Sequence, residues 1–157
     1  RIISTSIDFE IEEGIEVICE VRGNEFMPTA NQTLLKEDSG DFILDDFEHE
    51  QSVLITENGK SVLIAGCAHR GIVNILEQVT GNRGAMLDMV IGGFHMEHPH
   101  KGICESSEVI SRIADRLKGF ATKYYTCHCT GQRAYAMLKE EMKDQIDYLP
   151  TGGMITL

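Results

Sequence analysis

Apolar positions along the chain change period twice, and the changes divide it into recognisable pieces. Ile7, Phe9 and Ile11 alternate with polar residues, Gly14 interrupts, and Ile15, Val17, Cys19 and Val21 alternate again. Period two with a break is the pattern of two half-buried antiparallel strands, and Ile2 and Ile3 are strand-like just ahead of it. From Arg22 to Asp41 the pattern lapses into polar and turn-forming residues, including Gly23, Asn24, Pro28 and Gly40, so a long loop is expected before the short apolar piece Phe42 to Leu44. Val53 to Ile55 and Ser61 to Ala65 flank Asn58-Gly59, a pair that tolerates the positive backbone angles of a tight hairpin. Beyond Ala65 the period becomes helical.

Ile72, Ile75, Leu76 and Val79 lie on one helical face, with Gly81 as the expected stop. A strand from Leu87 to Ile91 is broken by Gly92-Gly93. The second helix is capped by Ser106 or Ser107 and carries Val109, Ile110, Ile113 and Leu117 on one side. Tyr124 to Thr126 reads as a strand, and Ala134, Met137, Leu138 and Met142 as a third helix. Apolar Ile146 to Leu149, a Gly152-Gly153 turn and a terminal strand Met154 to Leu157 complete the chain. Strands alternating with helices in this order predict an α/β layer, without internal repeats or low-complexity segments.

Composition changes this picture little. The 157 residues are 42% hydrophobic and 25% charged, ordinary for one globular domain able to bury a core. Twenty-five acidic side chains against 14 Lys and Arg give a net charge of -11, which repels phosphate backbones and anionic lipid and argues against nucleic acid as a partner. A local patch of Arg70, Lys101 and Arg133 is still compatible with a small anionic substrate. Five cysteines form an odd set rather than the dense, even framework of a small secreted protein, so a reducing cytoplasm is expected. No apolar run reaches the roughly 20 residues of a membrane-spanning helix, and no charged-then-apolar leader opens the chain, which begins at Arg1.

The candidate chemistry lies in three histidines that occupy the same kind of place. His69 follows Ser61-Val-Leu-Ile-Ala-Gly-Cys-Ala, His95 follows Met89-Val-Ile-Gly-Gly-Phe, and His128 follows Tyr124-Tyr-Thr-Cys. Each comes just after an expected strand, in a Gly-containing turn leading towards a helix. In an α/β sheet the carboxyl ends of neighbouring strands converge on one edge, so three imidazoles can meet there and serve as donors to zinc or iron. An open coordination position would lower the pKa of a bound water to roughly 7. A histidine in a turn is more often a cap or a surface group, but three in one topological slot are hard to obtain by accident.

Other clusters compete with this one. Glu97-His98-Pro99-His100 with Cys104 suggests an alternative zinc site, with Cys127 and Cys129 as further donors, but paired C-x-x-C elements are missing and Pro99 with Gly102 points to an exposed loop. Cys67, Cys127 and Cys129 are nucleophile candidates; buried structural thiols near strand ends are commoner, and Cys67 is expected to be packed. Asp41, Asp45, Asp46 and Glu48, with His49, are either oxygen ligands or a solvated rim, and the rim is favoured. Gly92-Gly93 and Gly152-Gly153 lack the spacing of a phosphate-binding fingerprint.

Gly66-Cys-Ala-His69-Arg-Gly-Ile-Val-Asn74, Gly92-Gly-Phe-His95-Met and His128-Cys-Thr-Gly131, in this order, resemble the metallo-β-lactamase-fold superfamily, in particular the branch that includes the dihydropterin ribofuranosyl-aminobenzene-phosphate synthases. The match runs from about Asp41 to the end. It implies the carboxyl-terminal half of an αββα sandwich, a mixed sheet with helices packed outside. In that family His69 is similar to the third metal-binding motif and His128 to the last, while His95 stands where many members place a bridging Asp or a Cys, which leaves the number and identity of the metals open. The family's H-x-H-x-D-H cluster belongs to the amino-terminal half and matches nothing here. The resemblance therefore implies that residues 1–157 are the carboxyl-terminal part of a single domain, the other half being supplied by the full-length protein or another chain, and that this chain alone is inactive or nearly so. It also implies a divalent metal, zinc by default with iron or manganese as alternatives, and a small-molecule substrate, contacted by Arg70, Arg133 and Thr130. Homo-oligomerisation is left open. Three functions follow as expectations: a hydrolase in which metal-activated water attacks an ester, amide or phosphoester; a pterin carbon-transfer synthase; or a non-catalytic binding or assembly module with an incomplete metal site.

Overall fold

Asn58 and Gly59 both adopt positive φ, 51° and 75°, and form the two-residue turn between β5 (Ser52–Glu57) and β6 (Lys60–Ile64). This computed structural model describes residues 4–84, 86–98 and 101–156. The opening alternation forms β1 (Phe9–Glu12) and β2 (Ile15–Ile18), an antiparallel pair with a register shift between Glu10 and Glu12. β1 is an edge strand, and its bulge and glutamates discourage pairing with a further chain. Ile2 and Ile3 lie outside the described residues.

The stretch expected to be a loop contains more order than its sequence suggests. A 3-10 turn spans Thr29–Thr33, and β3 (Leu35–Asp38) pairs antiparallel with β4 (Asp41–Leu44) in a separate two-stranded sheet. Its tip, Ser39-Gly40, takes φ of 55° and 95°. Because Leu35, Phe42, Ile43 and Leu44 are exposed, no period-two burial pattern marked the hairpin.

From β6 onward the chain alternates as expected: α1 (Ile72–Arg83), β7 (Met89–Gly92), α2 (Ser107–Lys118), β10 (Lys123–Thr126), α3 (Gln132–Met142) and β11 (Ile146–Tyr148). Between β7 and α2 lies a short hairpin of β8 (Glu97–His98) and β9 (Ile103–Cys104) where an irregular loop was expected; Pro99 and His100 are outside the described residues. α1 does not stop at Gly81. It continues to Gly84, whose φ of 60° supplies the left-handed turn that ends it. Ser106 caps α2, its hydroxyl accepting the Val109 N–H. Residues 154–156 form no strand, so the expected terminal strand is absent there, and Leu157 is not described.

The main sheet has seven strands in the order β1-β2-β5-β6-β7-β10-β11, antiparallel as far as β6 and parallel from β6 to β11. The three β–α–β crossovers all step the same way, so right-handed connections put α1, α2 and α3 on one face. Register then sorts the side chains into rows. Leu54, Leu63, Val90, Tyr124 and Ile146 lie side by side under the helices, and the last four are fully buried with Ile75, Leu76, Ile110, Leu117 and Leu138. The Tyr124 hydroxyl donates to the Leu117 carbonyl, joining sheet to α2. Val17, Val53, Ile64, Ile91 and Tyr125 form the neighbouring row on the opposite face, four of them half-buried and Ile64 40% exposed. Among the described residues, no helix is long and apolar enough to cross a membrane.

Candidate metal centre

The carboxyl ends of β6, β7 and β10 are laced together beyond the strands themselves. Ala65 N–H donates to the Ile91 carbonyl, Gly93 N–H to Gly66 and Cys127 N–H to Gly92. The turns that follow are sharp: Gly66, Ala68, His95 and His128 all have positive φ, with the two histidines at 46° and 48°. Left-handed backbone at a non-glycine residue costs about 1–3 kcal/mol and persists where the surroundings enforce it. Two of the three predicted ligands are held in this way.

His69 is fixed at four points. Its backbone N–H and that of Arg70 donate to the two carboxylate oxygens of Glu50, at 2.6 and 2.7 Å. Asn31 spans it, the amide nitrogen donating to the His69 carbonyl and the amide oxygen lying 3.0 Å from Nδ1. An amide oxygen only accepts, so Nδ1 carries the proton and Nε2 keeps its lone pair. The ring stacks on Phe47 with centroids 4.2 Å apart and planes at 3°. Burial pushes the Glu50 carboxyl up, against the opposing hydrogen bonds of Arg70 and His69.

His95 is buried beside His69, ring centroids 4.0 Å apart, and among the described residues neither of its ring nitrogens has a hydrogen-bond partner. Burial, reinforced by His69, pushes its pKa down to about 4, so at neutral pH the imidazole is in the uncharged form that ligates. A buried imidazole lacking both partners is a cost that a bound cation would remove.

The third histidine is grouped with sulfur: among the described residues, the donor atoms close enough to share one ion are those of Cys67, His128 and Cys129, not those of the three imidazoles together. His128 stands in a 3-10 turn (His128–Thr130) after β10, its Nδ1 3.6 Å from the Cys67 Sγ. The Cys129 thiol donates to the Cys67 carbonyl at 3.6 Å. Donor atoms of Cys67, His128 and Cys129 all lie within 4.8 Å of one another. The Cys67 thiol is held well below the ordinary thiol range, chiefly by its hydrogen bond with Cys129 and then by His69 and His128, while Cys129 is pushed up by the same contact. Cys67 is half-exposed in this group rather than packed in the core.

A chain of hydrogen bonds ties the turns to one another. Phe94 N–H donates to the Thr130 hydroxyl, which pairs with the Thr126 hydroxyl, which donates to the Gly92 carbonyl. Each hydroxyl has one proton, so the chain runs in that direction only. Thr130 is fully buried and Arg70 donates to the carbonyls of Val21, Asp46 and Gly23, so both of these expected substrate contacts are engaged inside the protein. Arg133 is exposed in the first turn of α3, its backbone N–H on Glu97. Asp46 pairs with Lys36, and Asp45 accepts the Phe47 N–H, consistent with a rim. A cleft of about 740 Å³ beside α1, lined by Asp8, Cys19, Arg22, Asn74 and Gln78, contains none of the three histidines.

The donors therefore fit a metal: an orphaned buried imidazole, a second imidazole with a fixed tautomer, and a thiol-imidazole cluster beside them. Asn31, Phe47 and Glu50 were not anticipated. Asn31 gave no sequence signal inside an apparent loop, and Glu50 sits just past the acidic run that had been read as ending at Glu48.

No protein-family profile matches the chain. It is 31% identical over 123 residues to the 7,8-dihydropterin-6-methyl-4-(β-D-ribofuranosyl)-aminobenzene-5'-phosphate synthase of Methanocaldococcus jannaschii, covering 78% of this chain and 40% of that protein. An uncharacterized protein of the same organism is 33% identical over 81 residues, 52% of this chain and 28% of the relative. The fold matches the crystal structure of a metal-dependent hydrolase of the β-lactamase superfamily with a TM-score of 0.83 and 26% identity, over 100% of this chain and 58% of the solved one. The chain thus spans less than half the length of these two sequence relatives.

Proposed function

Starting from a chain of the metallo-β-lactamase-fold superfamily, we propose that it carries the carboxyl-terminal part of a metal-dependent hydrolase centre, with His69, His95 and His128 as ligands. The observation that carries this reading is the buried His95 ring, bonded through neither nitrogen among the described residues and packed 4.0 Å from His69. A divalent ion, zinc by default, supplies Lewis acidity and an acidified water when bound. The protein's part is to hold imidazoles at strand ends: Asn31 fixes the Nδ1 side of His69, Glu50 anchors its backbone, and the Thr126–Thr130 hydrogen-bond chain holds the loop of His95. On this reading Arg133, exposed at the start of α3, meets an anionic substrate group, whereas Arg70 and Thr130 act through the loops they hold.

On the same reading the chain is one part of a single domain. The remaining half, with the H-x-H-x-D-H cluster that has no counterpart in residues 1–157, comes from the rest of the protein or another chain and covers the half-open apolar face of the sheet around Ile64. The identity to the pterin synthase over 123 residues favours a second reading, in which the same ligands serve carbon transfer to a dihydropterin.

Metal analysis of the purified chain after zinc loading and desalting tests the centre. His95→Ala and His128→Ala should each lose bound zinc, and the exposed His49→Ala should keep it. Equal zinc in all four proteins would sink the centre. Assay of the complete enzyme with a dihydropterin and a phosphoribosyl-aromatic partner, against ester and phosphoester substrates, separates synthase from hydrolase.

A further inference from the structure

Cys67 and Cys129 lie inside the motifs that carry the resemblance, but it implies no role for either. Both nonetheless sit at the strand ends among the histidines, reached by different routes. Cys67 follows β6 through Gly66, in the left-handed region at φ 60°, and Cys129 lies within the 3-10 turn after β10. Gly93, after β7, packs against Cys129, where any Cβ would run into the Sγ atom. Three strands therefore cooperate to seat the two sulfurs beside His128.

The spacing is that of a coordination sphere. A tetrahedral zinc ion with sulfur at about 2.3 Å and imidazole nitrogen at about 2.0–2.1 Å separates S from N by about 3.5–3.6 Å and S from S by about 3.8 Å. Cys67 Sγ and His128 Nδ1 are 3.6 Å apart, and all three donor atoms fall within 4.8 Å. A small inward movement of one thiol completes the set. His128 is exposed and both cysteines are half-exposed, so an ion can enter and a fourth position faces outward.

We propose that Cys67, Cys129 and His128 together hold one soft divalent ion in a two-sulfur, one-nitrogen position with its fourth site open, adjoining the His69–His95 pair. The inference rests on the metal-centre reading above and deepens it, because it makes the ion thiolate-bound and therefore zinc-selective. Two thiolates favour zinc strongly over manganese or magnesium, which prefer oxygen ligands. Binding releases the thiol protons to solvent, one for each cysteine that enters the sphere still protonated.

Titrating the metal-free chain with Co²⁺ under reducing conditions reads the sulfur donors directly. Sulfur-to-cobalt charge-transfer absorption should grow to one equivalent and vanish on adding Zn²⁺. Cys67→Ser and Cys129→Ser should each lose part of the band and the double variant all of it, while Cys127→Ser and His49→Ala retain it. Independently of any variant, zinc should protect Cys67 and Cys129 of the unaltered chain from alkylation, as mapped by mass spectrometry, and leave Cys127 reactive. Cobalt bound without the charge-transfer band, or thiols equally reactive with and without zinc, overturns the sulfur site while leaving the histidine centre standing. A chain that binds no metal at all overturns both.

Discussion

Thr130 shows how much of the site depends on one buried hydroxyl. Replacing it by Val keeps the volume but leaves the Phe94 N–H unsatisfied in the core, a loss of about 1–3 kcal/mol. Thr130→Val should therefore lower the urea midpoint and weaken zinc retention, because Phe94 precedes His95. An unchanged midpoint would mean that the hydrogen-bond chain is dispensable. Gly131 is constrained twice, by φ of 75° and by Glu97, whose side chain occupies the place of a Cβ. Gly131→Ala should cost about 1–3 kcal/mol in the same measurement. At this scale the sequence was informative about the histidines, since each follows a legible strand and a glycine-bearing turn. It was not informative about Cys67 and Cys129, because a thiol in a strand-end turn looks the same whether it packs or faces a second thiol from 62 residues away.

Elements were legible where burial imposes a period. α2 has its apolar stripe and its Ser106 cap, and Ser106→Ala should destabilise the chain by about 1 kcal/mol in thermal or urea unfolding through loss of the Val109 bond. The β3–β4 hairpin escaped detection because its ladder and Ser39-Gly40 tip form it, with its apolar side chains left in solvent. Gly81 was mistaken for a stop because a glycine costs a helix interior only about 1 kcal/mol relative to alanine; termination waits for the left-handed Gly84. The sheet edge at β11 is tied by charge: Asp147 bridges Lys123 and Lys139, both at 2.6 Å, and these cations hold its carboxyl below the ordinary value of 3.8. With the folded pKa depressed, the contribution is present above the unfolded pKa and lost as pH falls through the folded one. Asp147→Asn should thus lower stability at pH 7 by about 0.2–1 kcal/mol, since the group is 41% exposed, with the difference disappearing in strong acid. A difference that persisted in acid would assign the effect to packing.

The whole molecule is a sheet with unequal faces, and adjacent residues of β6 report the difference. Leu63→Ala, under the helices, should cost about 2–5 kcal/mol, whereas Ile64→Ser, on the half-open face, should stay within about 0.5 kcal/mol in this chain, as compared by urea unfolding. A large penalty at Ile64 would show that this face is already well covered. What the sequence determined by itself is the α/β order and the three turns in which the histidines sit, because apolar periodicity and glycine placement are local properties that a single chain displays openly. Tertiary structure decided the rest: that Asn31 and Glu50, from segments without a burial pattern, clamp His69; that His95 is buried with neither nitrogen bonded among the described residues; and that Cys67 meets Cys129 and His128. Those contacts depend on strand order and on the register between β6, β7 and β10, and local patterning carries no record of which strand ends become neighbours.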